Sequence, residues 1–96
     1  MFVEFIWDDT KNESNTRKHD LSFEEATELF LSGDDYLELF DEAHSEHEDR
    51  FIAIGPNKRG MIVVVFTIVE DNVTRIISAR IATKKEVAMY RQYAET

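Results

Sequence analysis

A chain of 96 residues suffices for one hydrophobic core, so the sequence reads as a single domain over residues 1–96. Hydrophobic residues make up 43% of it and Cys none, which excludes global disorder, a disulfide framework, a thiolate metal site and a cysteine nucleophile. The net charge of −9 is uneven: residues 1–48 set three cations against fifteen carboxylates, and residues 49–96 set eight against five. That balance argues against a general nucleic-acid coat but permits a compact cationic site in the second half, because salt confines exposed charges to about 10 Å.

Residues 2–7 are short, aromatic and apolar, and predict a first strand. Asp8 or Asp9 can cap a polar surface helix over residues 10–19. Ser22-Phe23-Glu24-Glu25 forms a capping box that opens a second helix, with Phe23, Ala26, Leu29 and Phe30 as its apolar stripe and Gly33 as its stop. Residues 36–40 half-alternate as a strand. Residues 42–49 are acidic, hold His44 and His47, and read as a loop. A strand restarts at residues 50–54, and residues 55–60 read as a hairpin connection. Residues 61–70 are nearly all β-branched or aromatic, the composition of a central strand buried on both faces, and far too short an apolar run to cross a bilayer. Asp71-Asn72 makes a turn before a strand over residues 74–82. Thr83-Lys84-Lys85-Glu86 is a second capping box, opening a helix whose buried side is expected to carry Val87, Tyr90 and Ala94. The expected fold is α+β, mainly antiparallel, in the order β-α-α-β-β-β-β-α. No signal-peptide pattern is visible, so a cytoplasmic location is expected.

Several segments carry a family resemblance: Trp7-Asp8, Lys11, Asn15, Lys18-His19, Phe23-Glu24-Glu25-Ala26, His44-Ser45, Glu48-Asp49-Arg50-Phe51, Ile54-Gly55, the block from Arg75 to Arg80, then Ala82-Thr83, Glu86 and Tyr90. In this order they resemble the BrnT family of toxins from type II toxin–antitoxin systems. The resemblance implies a RelE-like fold and metal-independent endoribonuclease activity that inhibits growth. It also implies neutralisation by a BrnA-like antitoxin, which alone would contact DNA, and no cofactor. Asp20, Met61 and Val69 depart from it, standing where the family commonly has Gly, Arg and Arg.

RNA cleavage through the 2′-hydroxyl needs a proton acceptor, a cation for the crowded phosphate, and a proton donor for the leaving 5′-oxygen. Arginine suits the second task, its planar fork matching phosphate oxygens at two points. Arg50, Arg75 and Arg80 are the candidates. On a regular strand Arg75 and Arg80 point to opposite faces unless a bulge intervenes, and the small neighbours Ser78 and Ala82 favour Arg80. The plain alternative pairs Arg80 with one of the many carboxylates. His19 offers imidazole, the side chain that exchanges protons near neutral pH, and Lys18 a phosphate contact, although both also suit a helix C-terminus. Glu48 reads as a base or as a neutralising partner of Arg50. Trp7 reads as a base-stacking ring for RNA, with Arg75 beside it in binding, or as core packing. His44 and His47 lack an extended metal motif, so no metal is expected. Glu24, Glu25, Glu28, Asp34 and Asp35 read as a solvated face or as a surface for a basic partner. The second reading of the whole chain is a weak or inactive interaction module of the same fold, which Met61 and Val69 favour.

Overall fold

The computed structural model describes residues 4–96, so Phe2 and Val3 of the expected first strand lie outside the described residues. Strand β1 covers Glu4–Ile6, helix α1 Asp9–His19, helix α2 Phe23–Leu31 and strand β2 Leu37–Phe40. Then follow β3 over Phe51–Asn57, β4 over Gly60–Glu70, β5 over Val73–Ile81 and helix α3 over Lys84–Ala94. The acidic loop contains one 3-10 turn, Glu42–His44. The strands form one sheet in the order β1-β5-β4-β3-β2, with β1 parallel to β5 and every other pair antiparallel. This is the expected α+β order.

Local chemistry sets the helix ends. The Asp8 carboxylate accepts the amide of Lys11 at 3.1 Å and starts α1. Both capping boxes form: Ser22 with Glu25, and Thr83 with Glu86. Helix α1 stops at Asp20, a left-handed residue at φ 53° and ψ 37°. Glycine takes that conformation without a Cβ clash, so Asp20 holds it at some cost in backbone strain.

Helices α1 and α2 cover one face of the sheet. Leu21, Phe23, Ala26 and Leu29 bury there against Ala53, Ile62, Val64, Phe66, Ile76 and Ala79. Full burial of a side chain such as Phe23 is worth about 1.5–3 kcal/mol. An aromatic chain extends this core, in which Phe30 meets Phe5 at 5.6 Å and Phe66 at 5.2 Å, and Phe51 stacks on Phe66 at 5.6 Å. β4 is buried on both faces, through Ile62, Val64 and Phe66 on one and Val63 and Thr67 on the other.

Helix α1 has little apolar surface, and one polar residue fixes it. Asn15 is 7% exposed, donates to the carbonyls of Leu21 (2.9 Å) and Ala79 (2.8 Å), and accepts the Ala79 amide at 3.1 Å. Its amide group takes the place of a neighbouring strand along the upper half of β5, beyond the reach of three-residue β1.

Three expectations are corrected. The hairpin connection is only Lys58-Arg59, because Gly55 and Pro56 continue β3, opposite Ile62 and Met61. Gly55 belongs there for closeness: a Cβ would stand 2.7 Å from Leu29 Cδ1. Pro56 is tolerated because β2 reaches only Ile54, so β3 is an edge at that point. In α3 the half-buried positions include Val87, Tyr90 and Tyr93, while Ala94 is exposed. The hydroxyls of Tyr90 and Tyr93 reach Asp35, donating to its carbonyl and its carboxylate at 3.1 Å each. Finally, β5 does not keep strict alternation. Val65 pairs with Ser78 but Phe66 with Ile76, which leaves Ile77 as a bulge.

Candidate active site

The bulge at Ile77 decides which arginines share a face. Arg75 lies opposite Thr67 and Arg80 opposite Val63. Thr67 and Val63 are on the same side of β4, so both arginines project from the sheet face that α1 and α2 leave uncovered. The opposite-face expectation from regular alternation is thereby corrected. Their partners are four positions apart on β4, about 13 Å along a strand.

Arg75 and Arg50 converge on Glu48. The Arg75 Nη2 donates to both Glu48 oxygens at 2.7 Å, and Arg50 donates through Nε and Nη2 to Oε1 at 3.3 Å. Burial pushes the Glu48 carboxyl up, but the Arg75 and Arg50 guanidinium groups outweigh it and hold it below the ordinary value, so it is ionised at neutral pH. The loop that brings Glu48 here is fastened by hydroxyls. Ser45 Oγ donates to the Asp41 carbonyl at 2.6 Å and accepts the Arg50 amide at 3.0 Å, while Thr67 Oγ1 donates to the Asp49 carbonyl at 2.6 Å.

Arg80 is engaged elsewhere. Its guanidinium forms a two-point pair with Glu86 at 2.7 and 2.8 Å, and Glu86 Oε1 also accepts the Thr83 amide at 2.9 Å. The Arg80 hydrogen bond pulls the Glu86 carboxyl down to about 2 against a smaller opposing effect of burial, with the Thr83 amide assisting. The same contact raises the Arg80 guanidinium. Arg80 thus ties the start of α3 to the sheet.

Lys18 and His19 end α1 and are exposed. They line a groove of about 230 Å3 with Lys11, Ser14, Asn15, Ile77 and Ser78. A second hollow of about 230 Å3, lined by Asp8, Lys11, Arg75, Ile76 and Ile77, shares Lys11 and Ile77 with it. The two make one track from Arg75 along α1 to His19. Lys11 is the site residue that sequence reasoning assigned no role. Its signal was the spacing of Lys11, Ser14, Asn15 and Lys18, one face of a helix on which Asn15 is buried against β5.

Trp7 packs on the core, edge-on to Phe23 at 6.2 Å, and remains half exposed. His44 Nδ1 meets the Asp41 carboxylate at 3.0 Å, and among the described residues no group of three or more His, Asp or Glu is arranged to hold a metal ion. A hollow of about 660 Å3 runs along α3 past Lys84, Val87 and Arg91 and contains none of the candidate residues.

Comparison with known proteins agrees with this architecture. A family model described as "Ribonuclease toxin, BrnT, of type II toxin-antitoxin system" matches residues 7–86, a stretch that contains every candidate above. The 1.1 Å crystal structure of the Brucella abortus ribonuclease toxin BrnT is similar at a TM-score of 0.66 and 31% identity, over 85% of this chain and 99% of that one. No curated protein matches. Fold and matched sequence place the chain among the toxins of type II toxin–antitoxin systems. Within that class it belongs to the BrnT family.

Proposed function

We propose that this chain is a metal-independent endoribonuclease that acts in the cytoplasm, inhibits translation and growth, and is neutralised by a BrnA-like antitoxin through which alone it meets DNA. The observation that supports this reading is the convergence of Arg75 and Arg50 on Glu48 at the mouth of a track lined by Lys11, Lys18 and His19. The geometry favours Arg75 over Arg80 as the phosphate ligand, because Arg80 already has both ends of its fork on Glu86.

On this reading a scissile phosphate displaces the Glu48 carboxylate from the guanidinium groups of Arg75 and Arg50, which then hold its non-bridging oxygens. The freed Glu48 accepts the proton of the 2′-hydroxyl. The 2′-oxygen bonds to phosphorus as the bond from phosphorus to the 5′-oxygen breaks, and His19 donates a proton to that oxygen. The products are a 2′,3′-cyclic phosphate and a 5′-hydroxyl, and the charge supplied to the phosphate comes from arginine. Lys18 and Lys11 hold neighbouring phosphates, and the partly exposed Trp7 offers its ring for a base to stack on. Arg80 acts as a positioning residue through α3.

A second reading, an inactive antitoxin-binding module, is favoured by the saturation of Glu48 with two cations in the free chain and by Met61 and Val69 on β4. Controlled expression separates the two. The parent should arrest growth and fragment cellular RNA, while an Arg50→Ala/Arg75→Ala variant of equal abundance should do neither. Normal growth and intact RNA with soluble parent protein would leave the module reading.

A further inference from the structure

We infer that the outer edge of β2 is a docking site for an extended, basic segment of a partner protein, which joins the sheet there as a sixth strand. The inference rests on the reading of this chain as a toxin held by a protein antitoxin, and it supplies the surface.

β2 ends the sheet, with no strand beyond it among the described residues. Its register sets Phe40 opposite Phe51, and the Asp41 amide donates to the Arg50 carbonyl at 2.8 Å. In an antiparallel ladder hydrogen-bonded pairs alternate, so Leu39 and Leu37 bond to β3 and Glu38 and Phe40 turn their N–H and C=O groups outward. No side-chain hydrogen bond among the described residues reaches those four groups. Phe40 stays 52% exposed although its ring meets Phe51 at 5.7 Å, which leaves an apolar surface beside the free edge.

Charge selects the occupant. Residues 34–43 contain Asp34, Asp35, Glu38, Asp41 and Glu42 and no cation, and no Lys or Arg occurs anywhere from residue 19 to residue 49. The acidic residues of α2 are different, being satisfied within the chain: Glu24 by Asn12, Glu25 by its cap and Arg59, and Glu28 by Lys58. Around β2, Asp34, Glu38 and Glu42 have no ion pair among the described residues. A second copy of this chain is therefore a poor occupant, since pairing two β2 edges would set like charges against each other. A foreign strand with a basic residue opposite Glu38 and an apolar residue two positions along, opposite Phe40, satisfies charge, apolar surface and backbone together.

The test uses the full chain and, as probe, a short peptide in which lysine and valine alternate. Amide exchange at Glu38 and Phe40 should slow by about tenfold on addition of the peptide. The same peptide with alternate backbone nitrogens methylated, which keeps its charge, should give no protection. Glu38→Pro should abolish the effect while Leu37 and Leu39 keep their own protection, because the lost N–H lies outside the ladder. Absence of protection at Glu38 and Phe40, or equal protection by the methylated peptide, would overturn the proposal and leave Glu38 as a charge that merely guards an open edge. RNA cleavage by the same preparation is read separately. A chain that cleaves no RNA but shows the protected edge loses the nuclease reading alone, and an active nuclease without protection loses only the docking site.

Discussion

Glu86→Gln isolates the bond between Arg80 and α3. Glutamine keeps an oxygen for the Thr83 amide, so the capping box survives and the charge pair is what is lost. Between its ordinary 4.5 and about 2 in the folded chain, the Glu86 carboxyl carries about 3 kcal/mol of stability at neutral pH. The Arg80 side chain is 39% exposed and that of Glu86 20%, so solvent screening reduces the expected loss to about 1.5 kcal/mol. For a domain of this size that is about 8 °C in thermal midpoint. The sign follows from the depressed carboxyl: the contribution is complete above 4.5 and disappears as pH falls toward 2. By about pH 3 more than half of the gap between parent and variant should have closed. Urea unfolding of both proteins at pH 7 and pH 3 checks this. An equal gap at the two pH values would show that the Gln substitution acts through packing, and the account of Arg80 as an ionic fastener would fall.

Other perturbations test the remaining contacts. Arg75→Lys keeps the charge but loses the two-point fork, so cleavage of a model RNA should fall by about a hundredfold in kcat/KM; near-parent activity would show that charge alone suffices there. Lys11→Ala should weaken binding of single-stranded RNA and reduce the slope of log affinity against log salt by about 0.7, the share of one phosphate contact. An unchanged slope would remove Lys11 from the track. Asn15→Ala removes three buried hydrogen bonds, two to the Ala79 backbone on β5 and one to the Leu21 carbonyl, and should cost about 3 kcal/mol in urea unfolding. A loss well under 1 kcal/mol would mean that water or a shift of α1 replaces the side chain.

Most of the fold was legible because its signals are local. The two capping boxes, the apolar stripe of α2 and the doubly buried composition of β4 each specify an element without knowledge of its neighbours. The hairpin was misjudged because Gly55 and Pro56 are ordinary turn residues, and only the sheet explains them: Leu29 presses on Gly55, and β2 ends short of Pro56. Asn15 reads as a helix-surface residue in a chain of polar neighbours. Its burial follows from β1 being too short to cover β5, a long-range fact with no signature in α1 itself.

The arrangement of the arginines was hidden for a related reason. A period of two along a strand is a rule about regular pairing, and a single extra residue reverses every assignment beyond it. Ile77, apolar and β-branched, looks like any other strand position, yet its bulge lets Ile76 and Ala79 both enter the core beneath the helices. The same half-turn sends Arg75 and Arg80 out on the opposite face together. Two consequences then follow from side-chain reach. Arg80 meets Glu86 at the first turn of α3, while Arg75 meets the loop carrying Glu48 and stays at the mouth of the track along α1. The bulge therefore separates a structural arginine from one free to exchange its carboxylate for a phosphate. Deletion of Ile77 should restore regular pairing while leaving Arg75 opposite Thr67 and Arg80 opposite Val63, so the Glu48 pair should survive it. One residue inserted in β4 between Val65 and Phe66 to pair with Ile77 should instead set the two arginines on opposite faces.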